Sequence, residues 1–211
     1  MVPARIDETT LLEGVRHLAG LDPELRVAIE RDGPPPLWAR EPGFETLVQI
    51  ILEQQVSLAS GRSAHERLVR AVGRVSPEGL AAIDPAVLVT AGITRQKVRY
   101  LQALGGAVAD GSLELDALRL LDDAAVRSTL CAIPGIGAWT ADVYLLMALG
   151  RPDAWPAADV ALMTAMARLK GLAARATLVE MAELAEPWRP WRAVAARILW
   201  HAYLAERRAR S

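Results

Sequence analysis

The chain has one cysteine, one phenylalanine and no excess of positive charge. Its single cysteine, Cys131, excludes a disulfide framework and a metal cluster built on several cysteines. No apolar run approaches the ~20 residues that cross a membrane, and the N-terminal residues lack the pattern of a secretory signal. These absences predict a soluble cytoplasmic protein that does not enter a membrane.

The charges nearly cancel, because 24 Lys and Arg residues stand against 25 Asp and Glu residues, for a net charge of −1. A nucleic-acid-binding surface is usually basic, so the overall balance counts against such a partner. A local positive face is still compatible with this total, and the sequence alone does not locate one.

What the chain has in abundance favours helices. Hydrophobic residues make up 52% of its 211 residues, and alanine, leucine, arginine and glutamate dominate over β-branched runs. Side chains able to cap helices precede several apolar periodic stretches, among them Asp7, Ser57 and Thr94. The sequence therefore predicts an all-α fold without a strand or an internal repeat.

The most informative stretch runs from Leu130 to Leu162. An apolar helix is interrupted by Pro134-Gly135-Ile136-Gly137, and a second one starts near Ala138, which predicts an αα-hairpin. The first amides of the second helix, together with its dipole, can bind one phosphate. The alternative is a glycine-rich helix connection that binds nothing.

Three other stretches have both an ordinary and a functional interpretation. A predicted helix over Phe44–Gln55 ends in Glu53-Gln54-Gln55-Val56-Ser57, which in most proteins is plain surface. The helix after Thr94 begins with Arg95 and Lys97, which are either solvated or in contact with phosphate. Trp38, after three prolines, either covers the core or contributes to a base-binding pocket.

Trp139 and Thr140 follow the hairpin turn, and DAWPAAD, ending at Asp159, follows the second helix. This arrangement resembles the helix–hairpin–helix (HhH-GPD) DNA glycosylases, and within them the AlkA-like 3-methyladenine DNA glycosylase II group. The closing stretch from Trp188 to Trp200 is also similar to that group. The resemblance covers nearly the whole chain.

The resemblance implies one domain of two helical lobes with an active-site cleft between them. Lobe one is predicted at about 1–41 plus 166–211, lobe two at about 42–165, and the helix–hairpin–helix at 124–149. The implied activity is removal of 3-methyladenine- or 7-methylguanine-type bases from damaged double-stranded DNA, by a monomer. The alternatives are a damage-binding module of the same fold without catalysis, and a helical protein-interaction domain.

The resemblance assigns catalysis to Asp159, whose simplest other role is to cap the helix that starts at Val160. Bifunctional members carry a lysine where this chain has Trp139. An indole cannot form the Schiff base that leads to strand cleavage, so a monofunctional enzyme is implied. The iron–sulfur branch needs four cysteines, so no such cluster is expected.

Further roles are carried over position by position. In the group, the junction at Gln54-Gln55 inserts a wedge into the gap left by the flipped nucleotide, and Gln55 aligns with that wedge. Ala158 and Val143 depart from the group's pattern and leave the substrate range open. No cofactor is required, although a Na⁺ or K⁺ ion at backbone carbonyls is implied. The implied DNA contacts are Gln54, Gln55, Arg95, Lys97, Pro134, Gly135, Gly137, Trp139 and Thr140; the pocket residues are Trp139, Val143, Tyr144 and Trp200; and the cation ligands are the carbonyls of Cys131, Ile133 and Gly135.

Overall fold

The computed structural model describes residues 5–209, and in that range the chain is helical and contains no strand. This confirms the all-α prediction. None of the described helices has both the length and the apolar character that crossing a membrane requires. The α-helices of the described range are α1 (Glu8–Leu21), α2 (Pro23–Asp32), α3 (Phe44–Glu53), α4 (Leu58–Val72), α5 (Pro77–Ala82), α6 (Pro85–Thr90), α7 (Arg95–Ala109), α8 (Asp123–Cys131), α9 (Ala138–Met147), α10 (Val160–Leu169), α11 (Leu178–Ala185) and α12 (Arg192–Ala209), with 3₁₀ helices at Ala117–Leu120 and Glu186–Trp188.

The helices begin where the sequence places capping side chains. Asp7 accepts a hydrogen bond from the Thr10 amide at 2.8 Å, which closes a capping box at the start of α1. Ser57 and Thr94 accept from the third amide of α4 and of α7 in the same way. All three predicted N-caps are confirmed.

The described helices form two compact units. One consists of the chain up to Ala39 and from Leu149 onward, and the other of Arg40–Ala148. The sequence placed the second boundary near 165, so the structure corrects it by moving 149–165 into the first unit. The reason is tertiary: α10, which starts inside the reassigned segment, packs against α12 and α2.

In the first unit, the C-terminal end of α10 is fixed by a partly buried ion pair. Lys170, its C-cap, donates to Asp22 at 2.9 Å and to Glu24 at 3.0 Å, and the indole N–H of Trp188 donates to Asp22 at 2.8 Å. Burial alone would raise the pKa of Asp22, but the bond from Lys170 and the other donors outweigh it and lower the pKa to about 2. The paired carboxylate therefore stays ionised at neutral pH.

In the second unit, α3 is the central helix and packs against α4, α7 and α9. Its residues Leu47, Ile50 and Ile51 are fully buried, and burial of such side chains contributes roughly 1.5–3 kcal/mol each. Helix α3 ends at Glu53 and is followed by Gln54 and Gln55, here called the glutamine turn. Because α3 is held on several sides, this turn starts from a fixed position.

Candidate functional site

The hairpin predicted at Pro134–Gly137 is present. Helix α8 ends at Cys131, α9 begins at Ala138, and the Ile136 amide donates to the Ile133 carbonyl at 3.0 Å to close the turn between them. Gly137 is the N-cap of α9 and offers no side-chain cap. Helix geometry leaves the first amides of α9 without carbonyl partners in the helix, so this end can accept an anion.

The two glycines of the turn have different structural roles. Gly135 has φ +91°, and a Cβ atom there would lie 2.0 Å from Cγ of Tyr100 on α7. Gly137 has φ −100°, and a Cβ atom there would meet nothing within 4 Å. Gly135 is therefore required by the fold, whereas a Cβ atom at Gly137 would enter open space.

Helix α7 supports the glutamine turn as well as the hairpin. The Lys97 ammonium donates to the Leu52 carbonyl at 2.6 Å, at the C-terminal end of α3, where a cation also complements the helix dipole. Burial lowers the pKa of Lys97, against the opposing charge of Glu53. The structure thus gives Lys97 a role in capping α3, while Arg95 is exposed, and the contact of these two cations with DNA stays a prediction.

The two adjacent glutamines after α3 differ in surroundings. Gln54 is half-buried, and its amide nitrogen donates to the Gly135 carbonyl at 2.8 Å and to the Thr140 hydroxyl at 2.9 Å. Gln55 is exposed and has φ +57°, a left-handed conformation that is uncommon for a residue other than glycine. The exposed Gln55 is therefore placed to enter a partner molecule, whereas the Gln54 side chain faces the hairpin, and contact of either residue with DNA stays a prediction.

Asp159 is the N-cap of α10 in the first unit, as predicted. Its Oδ1 accepts hydrogen bonds from the Leu162 amide at 2.9 Å and from the indole N–H of Trp200 on α12 at 3.1 Å. Two donors from different helices fix the orientation of the carboxylate. A held, negatively charged group of this kind can stabilise a positive charge that develops on a bound substrate.

The loop before Asp159 is anchored at several points. Arg192 donates to the Asp153 carboxylate at 2.7 Å, and Arg189 donates to it at 2.5 Å. The indole N–H of Trp155 donates to the Met181 carbonyl at 3.1 Å. These contacts fix the chain on the N-terminal side of Asp159, and Trp155 lies in the core.

The four predicted pocket residues have different exposures. Trp139 is half-buried at the start of α9, and Trp200 is 9% exposed on α12 beside Asp159. Tyr144 is fully buried, and its hydroxyl oxygen accepts a hydrogen bond from the Gly43 amide at 3.0 Å. Burial raises the pKa of that hydroxyl. With Val143 at 3% exposure, these two residues belong to the core of the second unit, and their place in a substrate pocket stays a prediction.

Trp38 covers α12 in the first unit. Its ring lies 6.3 Å from that of His201, its φ is +49°, and the carbonyl of the preceding Leu37 accepts from the buried Arg197 at 2.7 Å. This arrangement fits the interpretation of a loop residue that covers the core.

Sequence reasoning missed the partners that stabilise the hairpin. Tyr100 contacts Gly135 from α7, and Arg127 on α8 pairs with Asp142 on α9. Asp142 is a buried carboxylate in an otherwise apolar helix, and such a residue signals a charged partner. No sequence signal marks Tyr100.

Three backbone carbonyls of the hairpin bear on the predicted site for a monovalent cation. Those of Cys131, Ile133 and Gly135 are oxygen ligands, the type that hard cations prefer. Ile133 and Gly135 each accept one hydrogen bond, from Ile136 and from Gln54. A carbonyl oxygen has two lone pairs, so these bonds leave room for a second partner and the residues fit the ion.

A family model described as HhH-GPD superfamily base excision DNA repair protein matches residues 48–190. That match includes the glutamine turn, the whole hairpin and Asp159. The chain is also 36% identical, over 170 residues and 74% of its length, to a Mycobacterium tuberculosis protein named probable bifunctional transcriptional activator/DNA repair enzyme AlkA. The chain spans between 33% and 46% of the length of the first curated relatives that it matches.

Two solved structures share the fold over most of their own length. A DNA-3-methyladenine glycosidase from Bacillus halodurans superimposes with a TM-score of 0.75 at 29% identity, covering 92% of this chain and 91% of that one. A 3-methyladenine DNA glycosylase from Schizosaccharomyces pombe, in complex with abasic DNA, gives a TM-score of 0.84 at 24% identity, covering 89% and 95%.

Proposed function

The chain belongs to the HhH-GPD superfamily of base excision DNA repair proteins, and on that premise we propose that it is a monofunctional DNA glycosylase. It hydrolyses the N-glycosidic bond of alkylated purines of the 3-methyladenine and 7-methylguanine type and leaves an abasic site. The name of the Bacillus halodurans neighbour, a DNA-3-methyladenine glycosidase, supports the substrate class, and the name of the Mycobacterium tuberculosis relative supports a role in DNA repair. The observation that carries the proposal is Asp159, held at the start of α10 by Leu162 and Trp200.

The chemistry follows from the charge that the reaction creates. Breaking the bond between sugar and base leaves positive charge on the sugar, as in other glycoside hydrolyses. The Asp159 carboxylate stabilises that charge and orients a water molecule for attack at C1′. An N-alkylated purine is already cationic and leaves readily, so the reaction needs no general acid. An aromatic face such as that of Trp200, which lies beside Asp159, attracts a cationic base by roughly 0.5–2 kcal/mol.

Trp139 determines the expected product. Because an indole cannot act as an amine nucleophile, wild-type protein should release a free base and leave the DNA strand intact until alkali or heat is applied. The measurement is strand integrity on a duplex with one N-alkylated purine, with borohydride trapping and a lysine-bearing bifunctional glycosylase as the positive control. Direct strand cleavage together with a trapped covalent adduct would contradict the proposal.

We propose that the hairpin binds one phosphate of double-stranded DNA through the first amides of α9. A Na⁺ or K⁺ ion held by the carbonyls of Cys131, Ile133 and Gly135 would add positive charge beside that phosphate. Replacing potassium by tetramethylammonium at constant ionic strength should then lower the affinity for duplex DNA. An unchanged affinity would exclude the ion. That the protein acts as a monomer stays a prediction.

Gly137→Val should weaken binding to every duplex by a similar factor, because phosphate contacts carry no sequence information. The fold should be unaffected, since a Cβ atom at Gly137 meets nothing within 4 Å. Affinity should fall with salt by a log–log slope of about −0.9 per neutralised phosphate. The matched control is Gly106→Val on α7, where a Cβ atom also meets nothing within 4 Å. Wild-type affinity in a folded Gly137→Val protein would exclude the hairpin as the phosphate site.

A further inference from the structure

The residues immediately before Gln55 are each held by a different part of the second unit. Lys97 on α7 donates to the Leu52 carbonyl at 2.6 Å. Arg40 bonds both carboxylate oxygens of Glu53 at 3.0 Å. The third residue, Gln54, is held by the hairpin. The exposed residue that follows, Gln55, is thus preceded by three residues that are each held by a tertiary contact.

The Gln54 side chain makes the direct connection between this turn and the hairpin. The Gly135 carbonyl can only accept a hydrogen bond, so the group that faces it must be the NH₂ of the amide. The same NH₂ reaches the hydroxyl of Thr140 on α9, a residue that is 1% exposed. Both donors of Gln54 are therefore used to join the end of α3 to the two sides of the α9 N-terminus.

We propose that Gln54 is a positioning residue that couples the phosphate-binding hairpin to Gln55. Binding of a DNA phosphate by the hairpin and insertion of Gln55 into the vacated base position then occur in a fixed register. This inference rests on the proposed function. Phosphate contacts set the register of a protein on a duplex, and extruding a base costs stacking and pairing energy that the inserted side chain must offset. A link between the two elements lets DNA binding hold Gln55 at the extrusion site.

The strained backbone of Gln55 supports this role. A residue with φ +57° persists only when its surroundings fix it, and the neighbouring bonds of Gln54 do so here. Without those bonds, Gln55 is expected to relax towards ordinary backbone angles. The loss would then fall on base extrusion, whereas affinity for the DNA backbone would be retained.

The test uses Gln54→Met, which keeps the length of the side chain and removes both donors. Single-turnover excision of an N-alkylated purine should fall at least ~10-fold in a matched pair but less than ~3-fold in a mismatch, because a mismatched base is more easily extruded. Affinity for an abasic-analogue duplex, which has no base to extrude, should change less than ~3-fold. Equal losses on both substrates would overturn the proposal, since general structural damage does not discriminate between them.

The matched control is Gln102→Met. Gln102 lies on α7 in the same unit and donates to the Ile83 carbonyl at 3.0 Å, so this variant removes a similar bond away from the turn. It should leave the ratio of the two excision rates at the wild-type value. A shift in that ratio equal to the shift in Gln54→Met would overturn the proposal.

A double-mutant cycle tests whether Gln54 acts through Gln55. Gln55→Ala should itself slow excision from the matched pair. Adding Gln54→Met should then slow it little further, because the effects of two residues that act through the same contact are not additive. If the fold-loss in excision rate of the double variant equals the product of the two single losses, Gln54 acts independently of Gln55 and the proposal is overturned.

Hydrogen exchange on the free protein tests the link without any substrate. Gln54→Met should speed amide exchange at 55–57 and also at 135–140, whereas unchanged exchange at either segment overturns the coupling. If wild-type protein released no base, the proposed function would fail, and this measurement would still decide whether the hairpin and the turn are joined.

Discussion

Asp159→Asn should fold normally and bind damaged DNA as the wild type does, but excise an alkylated purine ~10²–10³ times more slowly. Asparagine is about as good an N-cap as aspartate, so the start of α10 should be preserved. The change removes the negative charge that Trp200 and Leu162 hold in place. A loss of this size corresponds to ~2.7–4 kcal/mol of transition-state stabilisation.

The measurement is single-turnover excision from a duplex with one alkylated purine, with the thermal midpoint and the affinity for abasic-analogue DNA recorded in parallel. Asp7→Asn makes the same change at the N-cap of α1 in the same unit, and it should leave excision unaffected. If Asp159→Asn excises as fast as wild type, Asp159 is only a helix cap and the mechanism is wrong.

Gly135→Ala should destabilise the fold by roughly 2–4 kcal/mol, because the alanine combines a strained backbone with overpacking. Its Cβ would lie 2.0 Å from Cγ of Tyr100, at a φ of +91°. At about 2–4 °C per kcal/mol for a chain of this size, the thermal midpoint should fall by roughly 4–16 °C. Gly137→Ala, in the same turn, adds a Cβ atom that meets nothing within 4 Å, so it should cost only the poorer N-capping of alanine and lower the midpoint by about 2–4 °C.

Thermal unfolding of four variants separates the two causes. Adding Tyr100→Ala to Gly135→Ala relieves the steric contact but leaves the backbone strain. The double variant should therefore lose less free energy of unfolding than the sum of the losses in the two single variants. A wild-type midpoint for Gly135→Ala would show that the hairpin does not pack on Tyr100 as described.

The local features of the fold could be predicted from the sequence. Asp7, Ser57 and Thr94 each lie next to the amides that they cap, so short-range patterns are enough to identify them. The same holds for the hairpin, because Pro134 and the glycines after it interrupt two apolar helices. The predicted end of α3 at Gln55 was two residues late, because tertiary contacts and not helix propensity determine the conformation of Gln54 and Gln55.

The contacts that organise the site could not be predicted, because their partners lie far apart in the sequence. Lys97 and the carbonyl it caps are 45 positions apart, and Gln54 and the Gly135 carbonyl are 81 positions apart. Lys97 therefore had the pattern of a surface cation. The boundary near 165 was misplaced for the same reason, since no local signal says which helices α10 packs against.

The central claim is that this chain releases a damaged base from DNA, and chromatography of the free bases released from N-alkylated duplexes tests it most directly. Wild-type protein should release 3-methyladenine and 7-methylguanine and leave abasic sites in intact strands, whereas Asp159→Asn should release ~100-fold less in the same time. Binding to abasic-analogue DNA without release of any base would contradict the claim and identify a damage-binding module. Failure to bind DNA at all would contradict it and leave a helical protein-interaction domain.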